Sequence, residues 1–267
     1  MMDAVPRQAH GDPVIGMADV SVTLGGRAII ESLNLRVGAG EFVCLVGPSG
    51  SGKTTILRLV AGLILPASGQ VTYRQSPVTA PSSDIAFVFQ DYTKALLPWR
   101  TAAQNVALAL EARKYPRHAR AQFIEQLLHK VGLADHATNY PAEMSGGMQQ
   151  RLQIARCLAQ EPGVMLMDEP FGALDAMTRQ SLQDEVLSIV ASTGTSVLFV
   201  THDLEEAIYL GDRVIGLLAD PGRLGMEITV ELPRPRDQLT TREQPEFLRL
   251  RRQLFDFIQD AERGRQH

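Results

Sequence analysis

The run Gly47-Pro48-Ser49-Gly50-Ser51-Gly52-Lys53-Thr54 has the spacing G-x-x-x-x-G-K-[ST], follows the apolar stretch FVCLV and opens a helical pattern. Glycines at these positions let the backbone curl so that successive N–H groups and a helix start face a polyanion. Lys53 adds a fixed positive charge and Thr54 a hydroxyl suited to Mg2+. The chemistry predicted is the cradling of a phosphate chain. A dinucleotide-binding fingerprint fits less well, because Gly50-x-Gly52 is followed by Thr55 where a third glycine would stand.

A second constellation ends the apolar run VMLM with Asp168 and Glu169. A buried strand carrying two carboxylates to its C-terminal end delivers them where open α/β sheets bind ligands. Asp168 is suited to hold Mg2+ through water, and Glu169 to polarise an attacking water. Alone, the pair reads equally well as an acidic turn after a core strand. Beside a phosphate loop it points to hydrolysis, since a carboxylate base in place favours turnover over a slow nucleotide switch.

The elements that must position these groups are legible in the periodicity. VIGMADVSVTL, AIIESLNLRV and EFVCLVG read as strands, TTILRLVAGLIL as a helix running to Pro66, and GQVTY and DIAFVFQ as further strands. From Thr101 to Leu158 apolar residues recur every three or four positions, which predicts a helical block. Strands resume at VMLMDEP, TSVLFVTH and DRVIGLLA, with helices at TRQSLQDEVLSIVAS and DLEEAIYL between them. A strand at LGMEITVEL, a link at PRPRD and a helix from Pro245 to Arg263 follow. Alternating strands and helices imply a mainly parallel sheet with covered faces.

With 267 residues, 26 Lys+Arg against 30 Asp+Glu and a net charge of −4, nothing in the balance draws the whole chain to nucleic acid or an anionic bilayer. Cys44 and Cys157 lie in apolar stretches without metal or redox spacing, and read as buried, reduced thiols of a cytosolic protein. The N-terminus MMDAVPRQAHGDPV lacks the apolar core of a leader, and no stretch is apolar for the ~18 residues a membrane helix needs.

Met144-Ser145-Gly146-Gly147-Met148-Gln149-Gln150-Arg151, upstream of Asp168, resembles the LSGGQ signature of ATP-binding cassette (ABC) proteins. A serine and two glycines at a helix start offer a hydroxyl, N–H groups and a positive dipole end to an anion. Gln90 resembles the family's Q-loop glutamine, Gly172-Ala173-Leu174-Asp175 its D-loop, and His202 its switch histidine. Asp175 reads equally as a helix N-cap, and His202 also precedes an Asp203 N-cap with Glu206 three residues on. The stretch LLPWR, the variant SGGM and the tail LPRPRD…PEFLRLRRQL resemble importer ATPases for nitrate, sulfonates and taurine.

The resemblance implies an α/β P-loop NTPase fold, a mainly parallel sheet with flanking helices, an N-terminal antiparallel β-subdomain and an inserted helical subdomain. Residues 1–92 and 163–232 would form the core, 93–162 the helical subdomain and 233–267 a C-terminal link and helix. It implies ATP held by Gly47, Pro48, Ser49, Gly50, Ser51, Gly52, Lys53, Thr54 and Thr55, and, across a head-to-tail dimer, by Ser145, Gly146, Gly147 and Asp175. Mg2+ would be held by Thr54, Gln90 and Asp168, with catalysis by Glu169, His202 and Gln90. Implied partners are a second copy, membrane permease subunits and, indirectly, an extracytoplasmic binding protein, at the cytoplasmic face of the inner membrane. Nucleic acid is not among them.

Two positions depart from the pattern. Leu24 stands where an aromatic residue commonly stacks on adenine, and Met148 where the signature has glutamine. Leu96, Leu97 and Trp99 read either as a contact for a membrane subunit's coupling helix or as ordinary packing. The alternative function is a soluble ABC ATPase acting on nucleic acid or ribosomes. It would call for a long coiled-coil insertion or a second cassette together with basic arms. A small-molecule kinase would share the phosphate loop but has no use for SGG and DEP together.

Overall fold

A computed structural model describes residues 13–91 and 95–263. Most of the N-terminal segment read above as leaderless lies outside the described residues, as does the domain boundary placed at 92/93. In chain order the elements are β1 Ile15–Leu24, β2 Arg27–Val37, β3 Phe42–Val46, α1 Lys53–Val60, β4 Ser68–Tyr73, β5 Ser76–Pro77 and β6 Ile85–Val88. Then follow α2 Ala102–Ala112, α3 Arg117–Lys130, α4 Gly146–Leu158, β7 Val164–Asp168 and α5 Ala176–Thr193. The last are β8 Ser196–Val200, α6 Leu204–Leu210, β9 Arg213–Leu218, β10 Arg223–Thr229 and α7 Pro245–Arg263.

Two compact units divide the chain: Met1–Ser82 with Ser196–His267, and Ser83–Thr195. In the first, β1 pairs antiparallel with both β2 and β4, and β4 with the short β5. The β1–β2 turn is Gly25-Gly26, with φ of 56° and 79°, the left-handed pair that a tight hairpin needs. Also in this unit, β3 runs parallel to β8 and β9, and β9 pairs antiparallel with β10. Every residue of β3 and β8 is buried, which is why both read as unbroken apolar runs rather than alternations.

In the second unit β6 and β7 pair in parallel from Ile85↔Val164 to Val88↔Met167. Helices α2 to α5 complete it, and α2 begins with a capping box between Thr101 and Gln104. These pairings and helices are the fold class expected from the sequence.

The helix α1 stops at Val60, short of the expected Pro66. Gly62 takes φ of 70°, Gly62 N–H donates to Leu59 O at 3.0 Å and Leu63 N–H to Arg58 O at 2.9 Å. This is a Schellman end, which satisfies the last carbonyls and turns the chain out of the helix. The apolar residues Leu63 and Leu65 are left largely exposed as a result. Among the described residues no helix is long and apolar enough to cross a membrane.

Candidate functional site

The phosphate loop lies in the first unit, between β3 and α1. Gly47, Gly50 and Gly52 have φ of 154°, 80° and 84°, a backbone that side chains resist. A Cβ on Gly47 would lie 2.7 Å from Leu217 O and 3.0 Å from Ser51 Oγ, so only glycine lets the loop run this close to β9. Lys53 Nζ donates to Gly47 O at 2.7 Å and Pro48 O at 3.0 Å, which holds the ammonium across the loop. Gly52 is the N-cap of helix α1, which has no side-chain cap and no acidic residue in its first turn. Its positive end therefore faces the loop without a competing carboxylate, and the arrangement fits a phosphate chain.

His202 is exposed in the same unit and follows β8. Asp203 Oδ1 accepts from the backbone N–H of Glu205 at 2.9 Å and of Glu206 at 3.1 Å, so the N-cap read from the sequence is present. The other end of α6 is capped by the tail. Arg236 donates to Ile208 O at 3.1 Å and Tyr209 O at 2.6 Å, and burial pulls its pKa down to about 10. Glu205 pairs with Arg242 and Arg251, each at 2.8 Å. The PRPRD stretch, read as a plain link, thus fixes the helix that follows His202. The only sequence signal was an arginine pair downstream of a helix, a weak cue.

The remaining groups belong to the second unit. Asp168 is buried at the end of β7, and Glu169 follows with φ of 47°. Gln90 Nε2 donates to Glu169 Oε2 at 3.1 Å, which joins two residues predicted independently. Ser145 is exposed and N-caps α4, its Oγ accepting from Met148 N–H at 3.3 Å. Asp175 N-caps α5 through Thr178 N–H at 3.0 Å, and that backbone bond leads the causes that hold its carboxyl below the usual range. The capping reading of Asp175 is therefore realised.

Several anchoring residues were not found from sequence. The Gln150 and Gln153 side chains, 1% and 0% exposed, reach the main chain around Glu169 and Gln90. Asn105, also buried, donates to Leu97 O, Arg100 O and Thr101 O and accepts from Leu97 N–H. It shapes the LLPWR loop and separates that loop's apolar residues: Leu96 is packed at 3% exposure while Trp99 stands out at 70%. A buried amide inside a helical pattern looks like any polar interruption, so nothing in the periodicity distinguished these three.

Leu24 is 48% exposed at the β1–β2 hairpin, beside Arg27, which pairs with Asp220. Cys44 and Cys157 are buried free thiols, and burial pushes Cys157 up to about 11, so neither is poised to react. Among the described residues no group of three or more His, Cys, Asp or Glu could hold a metal. A Mg2+ ion here would take most of its oxygens from phosphate and water, its usual habit in nucleotide sites.

The family model for ABC transporter matches residues 30–172, more than half of the chain. The nitrate import ATP-binding protein NrtC of Synechococcus elongatus is 44% identical over 90% of this chain, which spans 37% of that longer protein. The aliphatic sulfonates import ATP-binding protein SsuB 2 of Burkholderia cenocepacia is 43% identical over 95% of this chain and 90% of its own. Among solved structures, the dimeric post-hydrolysis state of the ATP-binding cassette MJ0796 bound to ADP and Pi matches with a TM-score of 0.72 at 32% identity. That match covers 81% of this chain and 98% of that one. With the phosphate loop inside the matched segment and a relative similar along nearly its whole length, the chain belongs to the ABC transporter family.

Proposed function

We infer that this chain is the ATP-hydrolysing subunit of an ABC-type importer, which energises uptake of a small molecule of the nitrate, sulfonate or taurine class through separate membrane-spanning subunits. The observation that carries the reading is the 3.1 Å bond from Gln90 to Glu169, which brings together two residues from the C-terminal ends of the neighbouring strands β6 and β7. Gly47, Pro48, Ser49, Gly50, Ser51, Gly52, Thr54 and Thr55 cradle the phosphates, and Lys53 supplies the fixed cation. Glu169 orients and deprotonates the attacking water while Gln90 holds the carboxylate in place, and His202 faces the terminal phosphate. Thr54, Gln90 and Asp168 would hold Mg2+, which would offset charge on the phosphate oxygens. Ser145, Gly146, Gly147 and Asp175 serve the nucleotide of a second copy, so that the working form is a head-to-tail dimer.

Core residues 1–92 and 163–232, the helical subdomain 93–162 and the segment 233–267 remain the division proposed for these roles. Exposed Trp99 suits contact with a permease subunit at the cytoplasmic face of the inner membrane, whereas buried Leu96 suits packing. An extracytoplasmic binding protein would deliver the substrate to the permease. Action on nucleic acid or ribosomes is not favoured, given import relatives and a net charge of −4.

Complementation tests the dimer and its shared sites. In a Glu169→Gln background, a tagged Lys53→Ala subunit and an untagged Ser145→Arg subunit each lack something that both sites of their own dimer need. In the mixture both lesions fall in one site and the other is intact. ATP should therefore promote capture of the untagged subunit only in the mixture. Equal capture in all three cases, with robust capture when neither lesion is present, would mean that Ser145 works within its own chain or that one intact site does not hold the dimer, and adding the membrane subunits would separate the two.

A further inference from the structure

We propose that Gln150 and Gln153 are positioning residues that fix the Gln90–Glu169 pair from the side of α4; the inference rests on the ATPase reading above. Gln150, Gln153 and Cys157 are spaced by three and four along α4, which places them on one face of the helix. Each reaches main chain rather than another side chain. Cys157 Sγ donates to Phe87 O at 3.4 Å. The Gln153 amide is assigned with its nitrogen toward the Phe89 carbonyl, the orientation that satisfies both groups, and then donates to Phe89 O at 3.1 Å and accepts from Phe89 N–H at 2.6 Å. Gln150 Nε2 donates to Glu169 O at 3.4 Å, and its Oε1 accepts from Ala173 N–H at 3.3 Å.

Phe89 is the residue immediately before Gln90, and Glu169 is the base itself. The two glutamines therefore hold the main chain on both sides of a single side-chain hydrogen bond. Gln153 grips Phe89 at two points, so the peptide leading into Gln90 can neither rotate nor slide without losing both bonds. Glu169, at φ of 47°, has a backbone that a residue with a side chain keeps only where its surroundings hold it, and Gln150 provides such a hold on the Glu169 carbonyl. The alternative is that both amides merely satisfy buried polar groups. The two readings part on turnover: a structural role lowers stability irrespective of Gln90, whereas positioning by Gln153, which acts through Phe89, needs Gln90 to act.

The test is a double-mutant cycle on the full chain with Mg·ATP, following kcat, KM and thermal unfolding. Gln153→Met and Gln150→Met keep the side-chain length and remove the hydrogen bonds. Each is expected to lower kcat about tenfold with KM changed less than about threefold, as a displaced reacting group does. In a Gln90→Ala background, Gln153→Met should change kcat by less than about twofold, because its route to the pair is already cut. Gln153→Leu, which also removes both bonds to Phe89 and introduces no polar atom, should match Gln153→Met. It carries the test if Gln153→Met does not fold. Equal losses from Gln153→Met with and without Gln90, or unchanged kcat in folded single variants, overturn the inference while the ATPase reading stands. A Glu169→Gln control that turns over like wild type removes Glu169 from catalysis, and an intact chain that shows no Mg·ATP turnover overturns the ATPase reading itself.

Discussion

The two units hold their chemistry by different means. In the first, the phosphate loop is shaped by main chain: three glycines with positive φ, and a lysine anchored on two loop carbonyls. In the second, the main chain beside Gln90 and at Glu169 is held by the amides of Gln153 and Gln150, from a helix distant in sequence from Gln90 and 19 residues from Glu169 at its contact. A loop built from its own backbone tolerates few substitutions and keeps its shape wherever the flanking strand and helix form. A pair held through side chains is adjustable, because a small shift of α4 moves the backbone on either side of it.

The largest expected effect is on the backbone-built half. Lys53→Ala removes the principal fixed cation and should abolish turnover and weaken ATP binding by well over tenfold, as measured by calorimetry. Unchanged affinity would show that the loop does not hold the nucleotide as argued.

Glu169→Gln keeps shape and hydrogen bonding but loses basicity, so kcat should fall about 10²-fold or more while ATP with Mg2+ still binds. Turnover within about threefold of wild type would remove Glu169 from catalysis and shift the contrast onto Gln90 alone.

Gly47→Ala probes the main-chain half without touching charge. A Cβ 2.7 Å from Leu217 O at φ of 154° should cost about 1–3 kcal/mol of stability in a denaturant titration. A neutral result would mean that the loop adapts to a side chain and is not fixed by its own backbone.

The pair of Glu205 with Arg242 and Arg251 offers a smaller test, on the tail that secures α6. The Arg251 hydrogen bond, opposed by partial burial and aided by Arg242, holds the Glu205 carboxyl below its usual range. A depressed folded pKa stabilises above the unfolded value of about 4.3 and is lost as pH falls through the folded value. Glu205→Gln should lower Tm by about 1–3 °C at pH 7, as a part-exposed pair would, and by progressively less below about pH 4. A pH-independent difference would assign the effect to packing.

The smallest effect is expected at Leu24, half exposed at the hairpin. If it covers adenine, Leu24→Trp should tighten ATP binding by about 0.5–1.5 kcal/mol, the increment of an aromatic stack. No change would place the base elsewhere.

The sequence by itself determined the phosphate loop, the buried strands β3, β7 and β8, the caps at Ser145 and Asp203 and the span of α7, because each depends on local geometry. Glycine spacing, unbroken apolar runs and N-cap residues express contacts made within a few positions of the chain. The early end of α1 was also local, since Gly62 stood in the sequence, but the apolar run GLIL outweighed it. Only the tertiary structure decided that Gln90 meets Glu169, that Gln150 and Gln153 brace them, that Asn105 splits Leu96 from Trp99, and that Arg236 closes α6. A buried amide or guanidinium leaves the same mark on periodicity as an exposed one; its partner is main chain brought near by folding, and no spacing along the chain encodes that meeting.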